Sequence, residues 1–168
     1  ILSCLVGSEM CIRDRCKMSV DRIENESNIW PVSTEIKVNW GDMDALGHVN
    51  HSVFAKWMET VRMMYFSEIG MMNLYDDSNI GPILARIEID YELPIVFPDV
   101  VTVSTSVSRI GNSSFDMKYK IESLSNNGKS AATGSVVCVL LDYSSGMPHN
   151  IPPKIRESIA RLEGDFHN

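Results

Sequence analysis

Little in this sequence commits the chain to anything other than a hydrophobic core. No apolar run reaches the roughly 18 residues that a membrane-spanning helix needs. Cysteine is scarce, four in 168 residues, and no Cys-x-x-Cys pair suggests a zinc site or a disulfide scaffold. Positive charge is in deficit: 15 Lys and Arg face 22 Asp and Glu, leaving a net charge of -7. That balance disfavours nucleic acid as the main partner, because phosphate backbones recruit an excess of Lys and Arg. A small phosphorylated ligand needs only a local basic patch and stays open. Internal repeats and low-complexity tracts are absent. What remains, 44% hydrophobic and 22% charged, is ordinary globular composition at about the length of one domain.

The first residues stand apart. Residue 1 is Ile, and residues 1–16 carry three of the four cysteines, Cys4, Cys11 and Cys16. They show no helical or strand period, and no charged segment precedes an apolar one, so they make a poor signal peptide. The stretch resembles translated adapter or vector sequence, so residues 1–17 are expected to be a non-native leader and Met18 the natural start. Residues 18–33 are expected to form a flexible arm ending near Trp30-Pro31, with one domain over 34–168. Of the cysteines this leaves Cys138, in an apolar strand-like run. It reads as a small core residue and suits a reducing, cytoplasmic setting.

Hydrophobic spacing orders the rest. Residues 34–41 alternate, with Ile36, Val38 and Trp40 on one strand face. From His51 to Gly70, apolar residues at Val53, Phe54, Trp57, Met58, Val61, Tyr65 and Ile69 recur at threes and fours. That predicts a buried helix of about five turns. Asn50 or Ser52 can cap its start, and Gly70 suits its end. After a loop containing Gly81-Pro82, four strand patterns follow: residues 83–93, 100–109, 113–123 and 134–143. Asn127-Gly128 signals a hairpin between the last two. Residues 153–163 have weak helical character. The order predicts an α+β fold, a long helix covered by a curling antiparallel sheet. Open sheet edges make a homodimer the default expectation.

Chemistry concentrates at residues 40–62. Asp42, Asp44, His48 and His51 fall between a strand and a helix start, with Gly47 and Asn50 among them. Each residue has a plain structural reading: turn or cap for the acids, hydrogen-bonded support for the histidines, an unusual dihedral for Gly47. The spacing matches no specific metal signature. Together they admit a sharper reading. Backbone N–H groups at a helix start can hold an oxyanion, and a nearby carboxylate can act as nucleophile or general base.

The segment DMDALGHVNHSVFAKWMETVR resembles the signature of the hotdog-fold thioesterases, in particular the 4-hydroxybenzoyl-CoA thioesterase-like group. That pattern runs Asp-x-Asp-x-x-Gly-His-Val-Asn-Asn-x-x-Tyr, then Glu-x-x-Arg. It is matched at Asp42, Asp44, Gly47, His48, Val49, Asn50, Glu59 and Arg62. His51 replaces the second Asn, and Phe54 replaces the Tyr. The resemblance spans about residues 34–143. It implies the hotdog fold, a long central α-helix wrapped by an antiparallel β-sheet. It also implies an acyl-CoA thioesterase, with Asp44 as the catalytic carboxylate and the His51 backbone N–H as oxyanion donor.

The resemblance further implies sites at a dimer interface, with dimers often pairing into tetramers. His48 and Asn50 would border the substrate, and Asp42 and Gly47 would shape the loop. By their spacing, i and i+3, Glu59 and Arg62 are close enough to pair on the helix; a role in shaping the substrate pocket is the alternative. Arg109 and Ser113, at the Gly111–Ser114 turn, are expected to face the nucleotide of coenzyme A. Met63, Met64, Met71 and Met72 either line an acyl pocket or fill core. The chemistry calls for no metal or cofactor. The alternatives are a thioesterase acting on acyl carrier protein, for which an acidic chain offers little docking charge, and a non-catalytic acyl-CoA binding protein.

Overall fold

The computed structural model describes residues 30–164. The expected leader and the arm up to residue 29 lie outside the described residues. Six strands form one antiparallel sheet: β1 (Val32–Lys37), β2 (Ile80–Tyr91), β3 (Val100–Ile110), β4 (Ser114–Ser123), β5 (Lys129–Asp142) and β6 (Met147–Pro148). The strand order is β1-β3-β4-β5-β2, with β6 against the end of β5. Helices α1 (His51–Glu68), α2 (Met71–Ser78) and α3 (Pro153–Glu163) complete the fold, with a short 3-10 turn at Trp40–Asp42. This is the α+β hotdog arrangement expected from the sequence.

Helix α1 is the centre. Val53, Phe54, Trp57, Met58, Val61, Tyr65 and Phe66 are all buried along it. They meet the alternating inward residues of the sheet, including Val101, Val103, Phe115, Met117, Ile121 and Val136. Phe66 packs edge-on to Phe115 with ring centroids 5.9 Å apart. Each such side chain contributes roughly 1.5–3 kcal/mol relative to exposure. Gly134 on β5 permits the approach. A Cβ there would lie 2.9 Å from Met58 Cε and 2.9 Å from the Glu88 carbonyl oxygen. The helix begins at Asn50, whose side chain accepts from Ser52 N at 3.0 Å, and ends at Gly70 in the left-handed region.

Several boundaries differ from expectation. β1 begins at Val32, so Val32 and Ser33 are strand and not arm. It stops at Lys37, and the following 3-10 turn rotates Trp40 outward to 73% exposure, away from the face of Ile36 and Val38. Gly81-Pro82 is not a loop but the start of β2. Pro82 is tolerated because β2 is an edge strand, where a missing N–H leaves no partner unbonded. Helix α2 occupies what read as loop: Met71 alone is buried, and the rest is too short and polar to announce itself.

Asp99 ties the sheet end that carries the loop between β1 and α1. Its carboxylate accepts from Val100 N (2.7 Å), Ser123 Oγ (2.5 Å) and Ser125 N (2.9 Å), while its carbonyl accepts from Val38 N (3.0 Å). Burial alone would raise this carboxyl, but the hydrogen bonds outweigh it and hold it below its usual value. Its stabilisation is therefore present above pH 3.8 and is lost as pH falls through the depressed value. Asp99→Ala is expected to cost about 1–3 kcal/mol at neutral pH. Urea unfolding read against pH checks this: the gap between wild type and variant closes at acid pH.

Candidate active site

The loop joining β1 to α1 is closed by backbone. Met43 and Val49 form a β-bridge, Asp44 N donates to His48 O at 3.0 Å, and Gly47 N donates to Asp44 O at 3.1 Å. Gly47 takes φ 84°, a dihedral that favours glycine. Val49 N donates to Ile95 O at 2.8 Å and anchors the loop to the segment before β3. The two acids do different work. Asp42 Oδ2 accepts from Asn39 N at 2.8 Å and caps the 3-10 turn, a structural task. Asp44 Oδ1 accepts only from its own loop, Leu46 N at 2.8 Å, and the side chain stays 28% exposed. Its carboxylate is thus positioned and still reachable.

His48 Nδ1 lies 3.7 Å from Asp44 Oδ1 and is buried without a hydrogen bond. That places the imidazole against the carboxylate. At the helix start, Asn50 Oδ1 takes Ser52 N and the Asn50 carbonyl takes Val53 N. Among the described residues the His51 N–H donates to no acceptor. It is a free donor at the positive end of α1. The His51 side chain is exposed, and its carbonyl accepts from Tyr91 Oη at 3.2 Å. Phe54, the position of the pattern's Tyr, packs on Tyr91 at 5.1 Å. Asp42, Asp44, Gly47, His48, Asn50 and His51 therefore share one closed turn. Tyr91 and Ile95 support it, and neither carries a motif, because one works through its register on β2 and the other through a backbone carbonyl.

Glu59 and Arg62 do not pair. Glu59 is exposed, Arg62 is 8% exposed, and neither joins an ion pair among the described residues. The i, i+3 offset leaves Glu59 outside the buried stripe of α1 and Arg62 within it. Both border a cavity of about 440 Å³ between the second half of α1, α2 and the start of β2. Met63 and Met72 line it, whereas Met71 is core and Met64 stays outside.

Arg109 and Ser113 stand elsewhere. Arg109 makes a two-pronged ion pair with Asp116, Nε to Oδ2 at 2.7 Å and Nη2 to Oδ1 at 3.0 Å. Hydrogen bonding to Asp116 holds the guanidinium above its usual value. The Asp44 loop is bonded to Asp99, before β3, and Arg109 sits near the far end of that strand. The strand between them runs ten residues, from Val100 to Arg109, at most about 33 Å if fully extended. Within one protomer the structure does not bring Arg109 or Ser113 to Asp44. They lie at the sheet end that also carries the cavity, since Ser114 on β4 pairs with Val139 on β5 and Leu141 pairs with Gly81 on β2.

A hotdog sheet around a buried helix, together with the family match over most of the chain, gives the class: a thioester hydrolase. The chain belongs to the thioesterase-like superfamily, whose family model matches residues 38–159. It is similar to a thioesterase from Thermus thermophilus, solved with coenzyme A and zinc. The two are 38% identical with a TM-score of 0.71, covering 80% of this chain and 96% of the other. It is also similar to the uncharacterised protein YsmA of Bacillus subtilis (strain 168), at 27% identity over 112 residues, 67% of this chain and 74% of YsmA. The long-chain acyl-CoA thioesterase FadM of Escherichia coli (strain K12) is 21% identical over 131 residues, 78% of this chain and 98% of FadM. Among the described residues, no group of three or more His, Cys, Asp and Glu is arranged to hold a metal ion. No described helix is long and apolar enough to cross a membrane.

The cap that sets the free N–H can be tested by itself. Asn50→Ala is expected to cost about 1 kcal/mol of stability. Thermal unfolding at fixed pH reads this directly, and an unchanged midpoint would show that the cap contributes nothing.

Proposed function

We propose that this protein is an acyl-CoA thioesterase that hydrolyses an acyl-CoA to the free acid and coenzyme A. The observation that carries this reading is the juxtaposition of Asp44 and the unbonded His51 N–H within one backbone-closed turn. A thioester carbonyl oxygen placed at the helix start accepts from His51 N–H. Asp44 then acts on the carbonyl carbon, either by taking a proton from water as water attacks or by attacking directly. The negative charge that forms on the carbonyl oxygen meets the helix end, and the C–S bond breaks to release the thiol. In the direct route, water then hydrolyses the acyl–aspartyl anhydride. His48 holds the carboxylate's flank, and Asn50 fixes the start of the helix.

The proposal includes a homodimer formed through β2. This strand has 12 residues, pairs among the described residues only with β5, and leaves Leu84, Ile87 and Tyr91 substantially exposed. Two copies joined edge to edge about a twofold axis would run their β2 strands antiparallel. The Tyr91 end of one copy, beside His51, would then meet the Gly81 end of the other. Asp44 of one protomer would face the sheet end that carries the second protomer's cavity and Arg109. Nucleotide contact by Arg109 and Ser113 belongs to that arrangement, as does any pairing of dimers into tetramers. Cleavage of a carrier-protein thioester would use the same Asp44 but needs a docking charge that the net -7 does not favour.

Free-thiol release from acetyl-, hexanoyl-, palmitoyl-, benzoyl- and hydroxybenzoyl-CoA tests the activity. Asp44→Asn is expected to lower the rate by about 10²-fold or more while the dimer stays intact by light scattering. Equal rates in the two proteins would remove the role given to Asp44. Arg109→Ala is expected to raise KM for acyl-CoA more than for a thioester truncated at the pantetheine. Equal effects on both would show that Arg109 does not read the nucleotide.

A further inference from the structure

Arg62 is a buried cation with no counter-charge. It is 8% exposed, its Nη1 is fully shielded and makes no hydrogen bond, and no carboxylate lies within ion-pair distance among the described residues. The Tyr119 hydroxyl and the Cys138 thiol, both neutral, lie beside it, and Tyr119 shares a hydrogen bond with its side chain, so it has a polar partner but no counter-charge. Burial pushes the Tyr119 hydroxyl up to about 12 and the Cys138 thiol up to about 11, and the Arg62 charge only partly offsets this in each. An uncompensated buried charge is costly, and proteins keep one chiefly where a ligand or partner completes it.

Arg62 lines the cavity of about 440 Å³, and it is the cation in that lining. The other walls are largely apolar side chains: Met63, Phe66, Met72, Ile83 and Leu84. Glu59 borders the same space, but it is exposed and solvated, which weakens its repulsion of an incoming anion. An apolar wall with one unpaired guanidinium fits an apolar chain that ends in an anion. A guanidinium also matches a carboxylate with two parallel hydrogen bonds.

We infer that Arg62 is a specificity-determining residue, and that the cavity takes an acyl chain whose far end is a carboxylate. The substrate class is then the mono-CoA thioester of a dicarboxylic acid. This rests on the thioesterase reading and narrows it. In the antiparallel β2 dimer, the cavity of one protomer faces Asp44 of the other, so the thioester and the distal carboxylate are held by different copies.

The test uses matched pairs of equal chain length: succinyl- against butyryl-CoA, adipoyl- against hexanoyl-CoA, and suberoyl- against octanoyl-CoA. Binding to the Asp44→Asn protein is measured by calorimetry, and thiol release is measured with wild type. At one length or more, the carboxylated member is expected to bind at least tenfold tighter and to show the higher kcat/KM. Arg62→Met should erase that preference while leaving the methyl-ended partners within about threefold, and Arg62→Lys should keep part of it.

Methyl-ended chains binding as well at every length would overturn the inference in wild type alone, whatever the variants do. A preference that survives Arg62→Met would place the anion elsewhere and overturn it too. If Arg62→Met dissociates the dimer and wild type shows no preference, a carboxylate of the second copy is the partner, which also overturns it. Asp44-dependent hydrolysis without a carboxylate preference would remove only this inference. A preference in binding without thiol release would remove the thioesterase reading and keep the acyl site.

Discussion

A single helix with a face of large apolar side chains has to be covered, and one sheet does this by curling. Everything else in the fold answers to that constraint. α1 buries Val53, Phe54, Trp57, Met58, Val61, Tyr65 and Phe66, and the inward residues of β3, β4 and β5 meet them. The contact is closest where Met58 reaches Gly134, since a Cβ there would meet both the Met58 tip and the Glu88 carbonyl oxygen of the neighbouring strand at 2.9 Å. Because α1 is held so firmly, its first residue is held firmly too. The turn that carries Asp44 inherits its rigidity from the core.

That dependence explains what could be read from the sequence. The threes and fours of α1, the alternation of β3 and β4, and the Asn127-Gly128 turn are local patterns, and local patterns survive folding. The turn from Asp42 to His51 was legible for the same reason, since its residues are neighbours in the chain as well as in space. What could not be read depends on context. Trp40 keeps strand alternation yet turns outward, because a 3-10 turn replaces the strand's end. Pro82 reads as a breaker unless the strand is known to be an edge. The spacing of Glu59 and Arg62 says they can meet, but it does not say that the core takes one and solvent the other.

The two sheet edges are unequal. β1 is short, with six residues, and Thr34, Glu35 and Lys37 among its side chains. β2 is twice as long and carries exposed apolar side chains. It also contains a bulge between Leu84 and Arg86. A bulge breaks the translational sameness of a strand, so a neighbour cannot slide along it by two residues and find equal contacts. Through that irregularity, the open edge of β2 limits the register that any strand added to it can adopt.

The Asp44 turn is held by main-chain groups: the Met43–Val49 bridge, the Asp44–His48 and Asp44–Gly47 bonds, and the bond from Leu46 N to the acid itself. Ala45 and Leu46 contribute only backbone to this lattice, and both side chains are exposed beside the acid. Their identities are therefore uncoupled from the aim of the carboxylate. A lineage carrying this loop can change the side chains beside the carboxylate one residue at a time while the backbone that aims it stays as it is.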